Sequence, residues 1–211
     1  MIKIRRICVD KHIDSVGWFG VVWLLCIIPL SWILPPQISW ENGILENSQV
    51  MILFIGVFMS FYFYIEALSS QGKKLWASIG AFFVMLAGRE LSWGRVLFQT
   101  KLTPSGPELI AMNQLPHSNI IQGIILLFII SVISALIYNI PWNTVVAIPL
   151  PIMYLTLGFS SFILATIGEH NWLLAHKQGQ PVEELSELLA YFMIVKIVKY
   201  YAASLKNNSI C

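Results

Sequence analysis

Apolar runs of about twenty residues alternate with short polar segments along the whole chain, the spacing that membrane-crossing helices require. The pattern predicts six spans, at residues 16–34, 48–68, 75–98, 119–138, 144–167 and 185–205. The expected fold class is all-α, a polytopic bundle of about six transmembrane helices in one integral membrane domain over residues 1–211. Pro35-Pro36 stops the first run, and Pro149, Pro151 and Gly158 fall within the fifth, where they are expected to bend it.

Composition supports the pattern. Hydrophobic residues make up 57% of the chain and charged residues 11%, against about a quarter charged in soluble domains. This excludes a disordered chain and an ordinary soluble enzyme. The net charge of +2 offers no field for a polyanion, so no nucleic-acid partner is expected. Eight Trp and seven Tyr suit interfacial aromatic belts. Cys8, Cys26 and Cys211 have no metal-binding or redox spacing. The first run follows a basic segment with Lys3, Arg5 and Arg6, but no small-x-small cleavage site succeeds it, so it is read as a retained helix.

The basic residues give an orientation. Lys3, Arg5, Arg6 and Lys11, then Lys73 and Lys74, then Lys196, Lys199 and Lys206 share one side of a six-span topology. The opposite side holds Lys101 and Lys177, with Arg95 at its border. By the positive-inside bias, both termini are expected in the cytoplasm and the chain in the inner membrane. Glu66, near the inner end of the second span, is expected to pair with Lys196 or Lys199, since an unpaired carboxylate at that depth is costly.

The acids collect on the other side. Eight of the eleven acidic residues, Glu41, Glu46, Glu90, Glu108, Glu169, Glu183, Glu184 and Glu187, fall in its half, with His117, His170 and His176. Loop solvation accounts for Glu41 and Glu108, and acids at a helix start account for Glu183 and Glu184. Glu90 stands apart, inside the third predicted span and beside Arg89, at a position where an ionisable group costs about 2.5–3.5 kcal/mol on insertion scales. If the helix continues, Glu90, Trp93 and Gly94 share a face. Arg95 has the geometry to clamp a phosphate or carboxylate. Late in the chain Glu187 shares a face with Glu183 and with Glu184.

These residues define a candidate site. Glu90, Arg95 and His117 take catalytic roles, Arg89 and Trp93 substrate binding, and His117, His170, Glu46 and Glu187 a divalent metal such as zinc. His176, six residues beyond His170, is the weaker ligand candidate. Haem b on His117 and His170 is the alternative cofactor.

The run Glu90-Leu91-Ser92-Trp93-Gly94-Arg95, with Asn113-Gln114 and His117-Ser118-Asn119, resembles a group of bacterial six- or seven-helix membrane proteins without an established activity. That group's pattern is Glu-Glu-x-Ser-Trp-Gly-Gln-Arg, then Asn-x-Gln, a His-Asn pair and a late Glu-Glu segment. Here Arg89 stands for the first Glu, and Ser118 separates His117 from Asn119. The resemblance covers about a third of the chain by motif and implies no reaction. Weaker echoes are of CAAX-type membrane proteases, whose Glu-Glu-x-x-x-Arg motif is matched only by Glu90 and Arg95, and of ceramidase-like hydrolases, whose late Asp and close histidine pair are missing.

The function expected is an intramembrane metal-dependent hydrolase acting on a lipid or lipid-linked substrate at the outer leaflet. The alternatives are a small permease, or a structural or assembly subunit with membrane-protein partners.

Overall fold

In the computed structural model, residues 9–10, 12–103, 106–172 and 178–208 are described. His176, Lys177, Lys3, Arg5, Arg6, Lys11, Cys8 and Cys211 lie outside them. The long helices are α1 (Ser15–Ile33), α2 (Ile44–Glu66), α3 (Ser70–Glu90), α4 (Ser118–Asn139), then, after the one-turn α5 (Trp142–Val145), α6 (Ile152–Glu169) and α7 (Gly179–Asn208). Five of them, α1, α2, α4, α6 and α7, are long and apolar enough to cross a membrane. This is a helical membrane protein. In α3, Lys73 and Lys74 at one end and Arg89-Glu90 at the other dilute the apolar stretch, yet its 21 residues reach about 30 Å.

Local chemistry sets the helix ends. Asp14 caps α1, its carboxylate accepting the Gly17 N–H at 2.8 Å, and the Ser69 hydroxyl caps α3 through the Gly72 N–H at 3.0 Å. Burial and hydrogen bonding act against each other on Asp14. Its partial burial favours the neutral carboxyl, but the Gly17 N–H, the Tyr154 hydroxyl and Lys196 outweigh this and hold it below the ordinary value of 3.8.

Residue pairings show that successive long helices run in alternate directions. In the α2–α3 hairpin, Gly56 lies against Phe83, Ser60 against Gly80, and the Phe63 and Trp76 rings stack at 4.7 Å. Gly56 leaves room for the buried Phe83 ring; a Cβ there would come within 2.6 Å of it. Asn139 at the end of α4 donates to Ser78 near the start of α3 at 2.9 Å. Gly168 of α6 meets Glu183 of α7, and Gly158 meets Met193.

Helix α7 is the axis of the packing. One face joins Ile27, Leu45 and Leu157 through Val182, Leu185, Leu189 and Met193; the other joins Leu53, Phe83 and Ala87 through Tyr191 and Val195. Helix α4 is its opposite, with Val132 its one fully buried residue, so it lies at the periphery on α3. The described ends of the chain meet at one end of the bundle. Strand β1 (Val9–Asp10) pairs in parallel with β4 (Leu150–Pro151), and the Tyr200 hydroxyl donates to Asp10 at 3.1 Å.

Three predicted spans change. The third ends at Glu90, after which Ser92–Leu97 form a 3-10 turn with Trp93 and Gly94 at positive φ, so Glu90, Trp93 and Gly94 do not share a helix face. The fifth starts after Pro151, not at Thr144, and the prolines precede it rather than bend it, as expected of residues that lack an N–H and disfavour helix before them. The last starts six residues early, at Gly179, with Pro181 in its first turn. That register also corrects the ion pair of Glu66. Helices α2 and α7 run parallel, with Gln49 beside Glu184, so Glu66 reaches Lys206 at 3.1 Å instead of Lys196 or Lys199. Lys196 faces Asp14 instead, at 3.9 Å.

Candidate functional site

The end of the bundle opposite the described termini gathers the acids. There α3 ends, α7 begins, and α2 enters through the turn at 40–43. Glu46 and Gln49 lie one turn apart on α2, and both are buried. Glu90 closes α3 and is buried within the bundle. Helix α7 brings Glu183, Glu184, Glu187 and Tyr191, the last two one turn apart, so that they share a face.

A closed polar network joins α3 to α7. The Tyr191 hydroxyl, on a fully buried side chain, donates to Glu90 Oε1 at 2.6 Å. Arg89 Nη1 donates to the same hydroxyl at 3.0 Å and stands 3.8 Å from Glu90 Oε1. Arg89 Nη2 donates to Glu187 Oε1 at 2.7 Å. Each partner makes a charge-assisted bond, the stronger kind in a site sheltered from water. The Arg89 side chain is 55% exposed while that of Glu187 is 10% exposed, so the guanidinium forms the open rim and the carboxylates its floor.

Beside this network, Gln49 Nε2 donates to the Glu184 carbonyl at 2.9 Å and to Glu184 Oε2 at 2.8 Å, tying α2 to α7. Glu46 accepts the backbone N–H of Asn42, closing the turn that leads into α2. Glu46, Glu90, Glu183 and Glu184 all stand within range of the charge of Glu187, and Arg89 brings the opposing charge. A cluster with such an excess of acid is held together by protons, by a cation or by water, and each of these is a way to do chemistry.

The predicted site residues divide into two sets. Arg89, Glu90 and Glu187 meet directly, with Glu46 nearby. The others stand elsewhere. Arg95 gives Nε to the Ser92 carbonyl at 3.2 Å and Nη1 to the Ile110 carbonyl at 3.3 Å, so it fastens the 3-10 turn to the chain leaving the hairpin of β2 (Gln99–Thr103) and β3 (Gly106–Leu109). Trp93 folds its ring back onto Gly88, where a Cβ would come within 2.8 Å of it, and meets Phe128 of α4 edge-on at 6.3 Å. His117 is exposed and serves as the left-handed residue, φ 56°, that turns the chain into α4. His170 is exposed too; its Nδ1 lies 3.0 Å from the Thr166 carbonyl, and its ring packs at 5.0 Å on Trp172.

His117 and His170 are thus carried by helices on different sides of the bundle, one on α3 and the other on α7 and α1. Among the described residues, no group of three or more His, Cys, Asp or Glu stands close enough to hold a metal ion. The four metal ligands expected from sequence do not converge as a set.

Sequence reasoning missed Tyr191 and Gln49. Each carries a signal, a polar side chain inside an apolar helix, three or four residues from a carboxylate that reasoning did select: Gln49 after Glu46, and Tyr191 after Glu187.

Cavities mark the other end. One of about 480 Å³ lies between α2, α3 and α7, lined by Phe63, Leu75, Trp76, Pro141, Leu205 and Lys206. A smaller one, about 200 Å³, is bounded by Asp10, His12, Asp14, Tyr154 and Tyr200. The larger of the two is apolar with an ion pair at its edge, so this cavity and the acidic cluster lie at opposite ends. No protein-family model matches the chain, and no curated protein or solved structure is significantly similar to it.

Proposed function

We propose that the chain is an intramembrane enzyme acting on a lipid or lipid-linked substrate, with the acidic end as its working site. The observation that carries this reading is the buried contact of Tyr191 with Glu90, joined on the same hydroxyl by Arg89 at the rim. Glu90 is the general base, and Tyr191 orients its carboxylate and moves a proton to or from it. The exposed half of Arg89 receives an anionic head group, for which a planar guanidinium is suited. Hydrolysis is the reaction proposed, with Glu90 drawing the proton from an attacking water. His117 and His170 take no part in it.

The lysines set the orientation in this reading. Lys73, Lys74, Lys196, Lys199 and Lys206 lie toward the end where the described termini meet, which is placed in the cytoplasm of an inner-membrane protein. The acidic end then opens at the outer leaflet.

The test is incubation of the purified protein with a total membrane lipid extract, followed by mass spectrometry. A lipid species that disappears with active protein and survives with heat-inactivated protein supports the reading. An unchanged extract counts against it.

A transport reading has one observation in its favour. Helix α3 is interrupted next to the acids, where Trp93 and Gly94 leave helical geometry, and interrupted helices line many carrier sites. Proteoliposomes loaded with a pH-sensitive dye separate the two. Proton movement without lipid turnover favours the carrier.

A further inference from the structure

We propose that Gln49, Glu46 and Glu184 form a site for a hard divalent cation of the calcium class, tying α2 to α7. The inference starts from one atom. Gln49 is fully buried, and its Oε1 has no hydrogen-bond partner. A buried acceptor without a donor is unfavourable, and native proteins rarely keep one without a use for it.

The orientation of the amide is fixed by its chemistry. Nε2 donates to two oxygens of Glu184, its carbonyl and its Oε2. Exchanging nitrogen and oxygen would set Oε1 against both of them, so rotating the amide does not remove the orphan. Two acids flank the residue that carries it. Glu46 lies one turn back on the same helix face, itself buried, and Glu184 lies across the helix interface. The nearby cation, Arg89, is engaged by Glu187 and Tyr191.

A buried orphan oxygen on a residue flanked by two acids lacks one thing, positive charge without hydrogen-bonding demands of its own. A divalent ion balances two carboxylates and takes an amide oxygen as readily as a carboxylate oxygen. The donors are all oxygen, which selects calcium or magnesium over zinc. Calcium tolerates irregular coordination and fills open positions with water, whereas magnesium demands a near-ideal octahedron, so calcium fits a site on two packed helices better. The site is separate from the Glu90–Tyr191 network and stands or falls independently of the enzymatic reading, because its readouts are metal binding and melting.

The experiment uses purified full-length protein in detergent, stripped with chelator. Two signals are followed, the melting temperature on adding millimolar calcium and the luminescence of terbium, a calcium stand-in excited through nearby aromatic rings. The wild-type protein is expected to melt several degrees higher with calcium and to bind terbium that calcium displaces. Gln49→Leu, which keeps bulk and removes the oxygen, is expected to weaken calcium binding at least tenfold. Gln49→Glu adds a third carboxylate and is expected to melt lower than wild type in chelator and to recover with calcium. It keeps the test decisive if the leucine variant does not fold. The proposal is overturned if calcium neither raises wild-type melting nor displaces terbium. It is also overturned if Gln49→Leu responds as wild type does, or if calcium leaves Gln49→Glu unrestored.

Discussion

Helix α7 is pinned to its neighbours by an ion pair at each end, and the two are built differently. At the acidic end Arg89 meets Glu187, whose side chain is only 10% exposed, and Tyr191 and Glu90 extend the contact into a network of charge-assisted bonds. At the basic end Lys206 meets Glu66 across solvent-accessible surface, with the Tyr62 hydroxyl donating to the same carboxylate at 2.6 Å. A pair in water gains little, because solvent screens it and two flexible chains must be held still. A pair over buried acids matters chiefly for what its loss leaves behind, namely uncompensated charge. The same kind of contact is an ornament of the fold at one end and a condition of it at the other.

The sharpest way to break the contrast is to remove one cation from each end. Arg89→Ala strands Glu187 and Glu90 and is expected to cost about 2–3 kcal/mol, below the range for fully buried pairs because the Arg89 side chain is half exposed. Lys206→Ala is expected to melt like the wild-type protein. Thermal unfolding in detergent compares them directly. If the two variants lose equal stability, the ends are not energetically distinct.

A second pair of variants asks whether the acidic end is also the more tightly packed. At Gly168 a Cβ would come within 2.7 Å of the Glu183 nitrogen and the Gly179 carbonyl, backbone atoms that cannot rotate away. Gly168→Ala is expected to cost about 1–3 kcal/mol by forcing α6 and α7 apart. At Gly158, nearer the middle of the same interface, the closest atom is the Met193 Cβ at 3.5 Å, an ordinary contact. Gly158→Ala is expected to be neutral or to stabilise by under about 1 kcal/mol, through lower backbone entropy in the unfolded chain. Melting curves of the two variants, recorded side by side, show the difference.

A smaller effect than at Arg89 or Gly168 is expected at Asp14. Its folded pKa is depressed, so its ionised form contributes stability above the ordinary value of 3.8, and the contribution is lost as pH falls through the folded value. Asp14→Asn keeps a capping oxygen but drops the charge. It is expected to melt slightly below wild type at neutral pH and to converge with it in acid. A difference that grows on acidification would contradict this assignment.

Much of the architecture was legible in the chain. Helices at 15–33, 118–139 and 44–66 follow apolar runs bounded by polar or proline punctuation, and the length of those runs locates them to within a few residues. Helix α3 was legible in kind but not in length. The turn after Glu90 folds Trp93 over Gly88, and its local mark is Gly94, a residue that permits a break in the helix and takes φ 87° there. The acids were legible as a group, because a one-sided charge bias puts them at one end. Their partners were not. Whether Glu90 meets Tyr191 or His117 depends on which helices neighbour α3, and the packing of α7 between α2 and α6 decides that. The histidines misled because height in the membrane says nothing about position around the bundle.

In the proposed reading the network at the acidic end does chemistry as well as holding α3 to α7. Glu90→Gln tests it most directly, since it keeps the shape of the side chain, accepts the Tyr191 hydrogen bond and abolishes the base. Melting and lipid turnover are measured on the same preparation. Melting within a few degrees of wild type and turnover reduced at least about a hundredfold are expected. Turnover that survives in Glu90→Gln, or a collapse of stability that lowers activity only in proportion to folded protein, would contradict it.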